Sequence, residues 1–479
     1  MHRGYLILIV LILSSLACGF IGTASPVPPR DSTPSEVVST QIATDTPSGQ
    51  SAVAQTPNPE GTSAPTQDER TKTPYPTSVL DAQLTHQIDQ IQSQVIEERG
   101  LQPEHPVPVI LLSPDELRQN VTNDFLATYT DENMADDVLE LSTIGLLEPG
   151  FDMKPFYTEL LSEQVAGYYD NDTQEMFIVQ SQGFEGPEHL TYAHEYTHVL
   201  DDQNYDIKNG LNYNHDACEN DSERCAAIQA LLEGDASLSE ITWFQNDANT
   251  QEQKQIIDFY NSMTSTVYPV YDSAPAFLKD DFVFPYNQGL TFVQAIYDQG
   301  GWPAVDAIYK NPPVSTEQIL HSELYPSDTP IPVELPDLAT ALGDGWREVS
   351  HNQMGEWYTY LILARAADAN ARLDDTTAQN AAAGWGGDEY KLLHNDATNS
   401  TAFMMKSIWD TPKDAEEFAT AFQQYADKRF GVPAAQQGDT LTWSYSGGYS
   451  SLYHSGDTTV WIIAPDSNTA QTLAGSLQP

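Results

Sequence analysis

Between Thr23 and Thr77 the chain lacks the means to fold on its own, and that stretch fixes where structure has to begin. It is dense in Pro, Ser and Thr and holds no aromatic residue before Tyr75. Such a segment has too little apolar surface to offset the entropy lost on ordering. A flexible segment of this length spans on the order of 40 Å root-mean-square, more where proline stiffens it. Residues 19–78 therefore read as a disordered spacer, and folded sequence is expected from residue 79.

Ahead of the spacer, His2 and Arg3 form a short basic start and residues 5–13 an unbroken apolar run. That run is shorter than the about 20 residues of a membrane span and has the proportions of an export signal. Ser15-Leu16-Ala17-Cys18 resembles a bacterial lipobox, in which the cysteine becomes the acylated N-terminus. Leu sits one position later than in the usual pattern, so ordinary signal cleavage and an uncleaved anchor stay open. The expectation is a signal peptide over residues 1–18, lipid on Cys18, and an extracytoplasmic protein tethered to the membrane or secreted. The chain has three cysteines. With Cys18 lipidated, Cys218 and Cys225 are left close together in a polar loop, as a disulfide of an oxidising compartment would be; a pair of metal-binding thiols is the rival. A formal charge of −49, spread along the chain, excludes nucleic acid as a partner, because phosphate neutralisation needs clustered Lys and Arg.

Helical apolar spacing runs over residues 80–99, and residues 107–112 read as a strand. Ser113-Pro114-Asp115-Glu116 has the pattern of a helix start. Helical sequence continues to about residue 163. Two β-rich runs, 164–170 and 175–179, flank an Asn/Asp turn and predict a hairpin. Helices follow over residues 187–202, 221–244 and 287–299. Beyond residue 342 the spacing predicts an apolar helix over 354–373, strands at 389–393 and 403–408, and an amphipathic helix over 412–430. Strands at 441–444, 450–453 and 459–463 and a last helix from about residue 466 complete a small α+β layer.

Within the helix over 187–202 lies Ala193-His194-Glu195-Tyr196-Thr197-His198-Val199, an HExxH motif. Residues four apart share a helix face, so His194 and His198 can hold one metal ion. Glu195 projects near the same point, where a carboxylate can take a proton from an attacking water. Imidazole ligands and a site completed by water suit zinc, one ion per chain.

A hairpin, an HExxH helix and a second helix bearing Ala230-Leu231-Leu232-Glu233-Gly234-Asp235-Ala236 together resemble the gluzincins, the thermolysin and zinc-aminopeptidase group of metallopeptidases. The resemblance covers about residues 160–300. It implies Glu233 as third ligand beside His194 and His198, and Glu195 as base. The separation of His198 from Glu233 is longer than in thermolysin, the cysteine-bearing loop making up the excess. Asp202 and Asp235 are candidates to accept the second ring N–H of the ligating histidines; helix capping and solvent exposure are the alternatives. The implied fold class is α+β: a mostly helical zincin-like domain with a β-hairpin over residues 79–341, then a helical plus α+β domain over 342–479.

Peptide-bond hydrolysis is the activity this implies, with a peptide or protein as substrate. An extended substrate is expected to pair with residues 177–180 or their partner strand. The zinc aminopeptidases carry a G-x-M-E-N segment there; Ala166-Gly167-Tyr168-Tyr169-Asp170 does not match it, which favours an endopeptidase. Pro285-Tyr286-Asn287-Gln288-Gly289, read as a helix start, resembles the Y-x-K-G segment whose tyrosine stabilises the oxyanion, with Gln288 in place of Lys. His321 is the rival donor. The alternative classes are a non-catalytic zincin-fold binding protein and an adhesive surface lipoprotein.

Overall fold

The computed structural model describes residues 80–120, 122–123, 129–164, 166–180, 183–263 and 269–477. The expected signal peptide, the expected spacer and Cys18 lie outside the described residues.

The first helix, α1 (Ala82–Arg99), begins where the Asp81 side chain accepts from the backbone N–H of Gln83 and Leu84, and ends at left-handed Gly100. Its buried Leu84, Ile88, Ile91 and Val95 form the apolar stripe expected from their spacing. Strand β1 (Val109–Leu112) leads into α2 (Pro114–Asn120). There Ser113 and Glu116 bond reciprocally: the Ser113 N–H donates to the Glu116 carboxylate, and Ser113 Oγ accepts from the Glu116 N–H. Helices α3 (Asp131–Ile144) and α4 (Met153–Gln164) follow. Next comes the hairpin of β2 (Gly167–Asp170) and β3 (Glu175–Val179). The sheet order is β1-β3-β2, with β1 parallel to β3. Since β3 is the middle strand, residues 177–179 have no open side for a substrate, and β1 and β2 are the edge strands.

Two helices run through the centre, α5 (Gly186–Tyr205) and α7 (Ser222–Asn246). Both are buried on nearly every face, which only helices packed all round can be. Between them, α6 (His215–Asn220) carries Cys218, bonded to Cys225 in the first turn of α7. Helix α8 (Thr250–Met263) packs on the start of α5, and α9 (Pro269–Ser273) precedes α10 (Ala276–Gly300). The helix expected over 287–299 is only the second half of α10. Pro285 lies inside that helix and does not open it, so Tyr286 stands mid-helix. Helices α7 and α10 touch backbone to backbone. A Cβ on Gly234 would lie 2.9 Å from the nitrogen of Leu290, and one on Gly289 would lie 2.8 Å from the carbonyl carbon of Ala230. Glycine at both positions is what permits this approach.

Short helices α11 (Trp302–Ile308), α12 (Thr316–Leu320) and α13 (Leu338–Leu342) lead to β4 (Trp346–Asn352) and α14 (Gly355–Ala364). The apolar helix expected to reach residue 373 stops at Ala364. After Arg365 the chain turns back, the Leu373 N–H donates to the Leu363 carbonyl, and Asp374 caps a new helix, α15 (Asp375–Ala382). Then come β5 (Trp385–Asn395), β6 (Ser400–Trp409), α16 (Pro412–Phe430), β7 (Ala435–Gln437), β8 (Thr440–Tyr445), β9 (Gly448–Ser455), β10 (Thr458–Ala464) and α17 (Ser467–Ser476). The antiparallel sheet runs β4-β5-β6-β10-β9-β8-β7. Alternation assigns its faces. Phe403, Met405, Trp461 and Ile463 join the large core with α16 and the helical region. Ala402, Met404, Val460 and Ile462 form a smaller core under α13 and α17. The molecule is thus α+β, and one apolar core continues from the helical region into one face of the sheet.

Candidate metal centre

His194 and His198 project from successive turns of α5 toward Glu233 on α7. His194 Nε2 is 3.1 Å and His198 Nε2 3.5 Å from the same oxygen, Glu233 Oε2. The two imidazole centroids lie 4.9 Å apart and their planes cross at 77°. One ligand atom from each residue falls within 4.8 Å of the others, so the three form a group able to hold a metal ion. His194 and Glu233 are fully buried and His198 is 3% exposed. Among the described residues neither ring nitrogen of His198 has a hydrogen-bond partner, nor has Glu233 Oε1. Buried polar atoms without partners cost free energy, and a divalent cation held among the three residues would supply a partner.

The charges around His194 are unusual for an imidazole. Burial alone lowers its proton affinity, but hydrogen bonds to the Glu233 and Glu240 carboxylates outweigh burial and hold its pKa at about 10. Burial raises the Glu233 carboxyl, and the neighbouring His198 and His194 more than reverse this, leaving it below its usual range. Without metal the cluster is a buried ion pair. A metal ion bound there would compete with protons for His194.

His194 Nδ1 lies 2.9 Å from Glu240 Oε2. This carboxylate orients the ring, a part expected of Asp202 or Asp235. Asp202 instead accepts from the Tyr169 hydroxyl at 2.8 Å and from the Ile207 N–H at 3.2 Å, tying the end of α5 to β2. Asp235 accepts from buried Arg99 at 2.8 and 2.9 Å and from the Tyr309 hydroxyl at 2.8 Å, tying α7 to α1. Helix geometry explains the exchange. Glu240 follows Glu233 by seven residues and shares its face, whereas Asp235, two residues on, points elsewhere. That seven-residue spacing was the signal available in the sequence.

Glu195, fully buried, accepts at Oε2 from the backbone N–H of Tyr169 on β2, at 3.0 Å. Thr197 Oγ bonds Ser239 Oγ at 3.0 Å and joins the two central helices beside the cluster. Tyr286, 1% exposed, has its ring centroid 6.2 Å from that of His194, inclined at 34°. His321, which ends α12, pairs its Nε2 with Glu356 Oε1 at 3.0 Å. Tyr286 therefore stands beside the histidine cluster, although not at the helix start its sequence context suggested. The Cys218–Cys225 disulfide is buried between α6 and α7.

Residues 341–474 match the model of a domain of unknown function, DUF8575. The match holds the seven-stranded sheet and leaves the metal-binding group outside it. No curated protein and no solved structure matches the chain.

Proposed function

We propose that this chain is a zinc-dependent peptidase of gluzincin type, an endopeptidase acting outside the cytoplasm and tethered through lipid on Cys18. The observation that carries the reading is the convergence of His194, His198 and Glu233 beside a carboxylate, Glu195, that belongs to the same helix turn. The donor set, two imidazoles and a carboxylate, suits zinc. When bound, zinc supplies Lewis-acid polarisation of a carbonyl and acidifies water. Glu195, fixed by the Tyr169 N–H, accepts the proton of the attacking water and delivers it to the leaving amine. Glu240 keeps the Nε2 of His194 facing the ligand point. Tyr286 is the candidate donor to the developing oxyanion, with His321 as the rival. As an edge strand beside Glu195, β2 is where an extended peptide would pair.

A second reading has a specific observation behind it. The complete burial of His194, Glu195 and Glu233 also suits a non-catalytic zincin-like binding or adhesive lipoprotein in which the cluster braces two helices. Zinc content and cleavage of an unfolded protein separate the two. The peptidase reading expects one zinc per chain and chelator-sensitive cleavage. It also expects a Glu195→Gln variant that keeps the metal and loses turnover. Stoichiometric zinc with no cleavage of any unfolded substrate would establish the binding reading, and near-normal turnover by Glu195→Gln would sink the mechanism.

A further inference from the structure

A cleft between the first turns of α10 and the connection from α14 to α15 carries chemistry that hydrolysis does not use. It is a shallow, open depression of about 440 Å³, lined by Lys279, Asp280, Arg365, Arg372, Asp374 and Asp375. Three of the chain's 20 basic residues, set against 69 acidic ones, meet here.

The carboxylates in the cleft are already committed. Asp280 and Asp375 both accept from Arg365, at 2.5 and 2.6 Å. Asp374 caps α15, accepting from the N–H and hydroxyl of Thr377 at 3.0 and 2.8 Å. Two of the cations have no carboxylate within ion-pair distance, although Arg372 also acts electrostatically on Asp280. Arg372 Nε donates to the Ala366 carbonyl at 2.7 Å, which fixes the guanidinium plane. Its terminal nitrogens have no hydrogen-bond or ion-pair partner among the described residues. Lys279 Nζ donates to the Asp272 carbonyl at 2.6 Å and stands 5.8 Å from the Tyr271 ring centroid, with no carboxylate partner among the described residues. A guanidinium anchored at Nε presents the fork of its two terminal nitrogens, the geometry that receives a carboxylate or phosphate through two parallel bonds. The cleft is lined by three cations and three carboxylates and so is locally balanced in charge, while charges more than about 8 Å away are screened by salt.

We propose that this cleft binds an oxyanion, the carboxylate or phosphate group of a small ligand, on the terminal nitrogens of Arg372 with Lys279 as the second contact. Neither contact involves the metal cluster, so the inference stands or falls independently of peptidase activity.

The test is calorimetric titration of the full chain at constant ionic strength, with chloride as control. One arm uses inorganic phosphate; the other uses a tripeptide with a free or an amidated C-terminus. Saturable binding of phosphate, or of the free but not the amidated peptide, is the expected result, and the arm that saturates names the source of the oxyanion. Arg372→Ala should weaken binding roughly ten- to hundredfold, the scale of a charge-assisted pair, and Lys279→Ala by less. Arg372→Lys, which keeps the charge and loses the fork, should fall between wild type and Arg372→Ala and guards against a folding defect in the alanine variant. No saturable heat above the chloride control, or equal binding by wild type and both alanine variants, overturns the proposal.

Discussion

Replacing Gly289 with alanine tests the backbone contact between α7, which carries Glu233, and α10, which carries Tyr286. The added Cβ would lie 2.8 Å from the Ala230 carbonyl carbon and closer still to its oxygen, whereas ordinary contact begins at 3.4 Å. Both sides are helical backbone, so no rotamer change relieves the clash. Helices α7 and α10 have to part by more than about 0.6 Å, a gap that forfeits a quarter or more of the dispersion energy along the seam. Overpacking of this kind costs about 1–3 kcal/mol, and a backbone-to-backbone clash belongs at the top of that range. Tyr286 lies one turn earlier on α10 and moves with it, which changes its position relative to His194. Displacements near 1 Å in a positioned group cost roughly 10²-fold in rate. Denaturant unfolding of Gly289→Ala should therefore show a loss of about 3 kcal/mol. Gly475→Ala serves as the control: it is a helical glycine in α17 with nothing within 4 Å of the added Cβ. There the same substitution should stabilise slightly, by about 0.5–1 kcal/mol. If Gly289→Ala unfolds within about 0.5 kcal/mol of wild type, a level typical of neutral surface changes, the close approach of the two helices is wrong.

Glu240→Gln should weaken zinc binding about 10- to 100-fold in competition with a chelator while the fold is kept, since the glutamine orients His194 less firmly. Tyr286→Phe should lower kcat roughly 10²–10³-fold with zinc content unchanged; loss of activity in His321→Ala alone would move the assignment to His321. Glu223, buried in the first turn of α7, has its carboxyl pushed up to about 8 by burial, despite hydrogen bonds from Thr316 that act the other way. The folded state therefore prefers the proton: the contribution of Glu223 is fully present below the unfolded value near 4.5 and is lost as pH rises toward 8. Glu223→Gln should accordingly leave stability unchanged near pH 4 and raise it by on the order of 4 kcal/mol at pH 9 in paired denaturation curves. Replacing Cys218 and Cys225 together with serine should cost about 2–3 kcal/mol by the entropy of so short a loop, read in the same unfolding assay.

The residues that could be read from sequence are those whose partners repeat at the period of their own element. His194 and His198 share a face of α5. The strands of the large sheet alternate, and residues 412–430 match α16 end to end. What escaped was set by partners distant in the chain or by backbone. The N–H that holds Glu195 belongs to Tyr169, and a backbone group leaves no trace in residue identity. Arg99 reads as an ordinary last-turn cation, yet it is buried against Asp235 only because α1 and α7 meet. Pro285 carries the strongest local signal for a helix start, and packing between α7 and α10 overrides it. The polar run after Ala364 ends a helix that apolar content alone extends to residue 373.

The large core that passes from the helical region into the sheet has a consequence for how the molecule comes apart. Arg429 and Tyr425 of α16 bond the carbonyl of Ile144 at the end of α3, at 2.9 and 3.2 Å, and Tyr390 of β5 bonds Glu140 at 2.8 Å. A protease that nicked the exposed connection near Asp344 would leave two fragments still gripping each other, not two free domains. Heat should melt both in a single cooperative step.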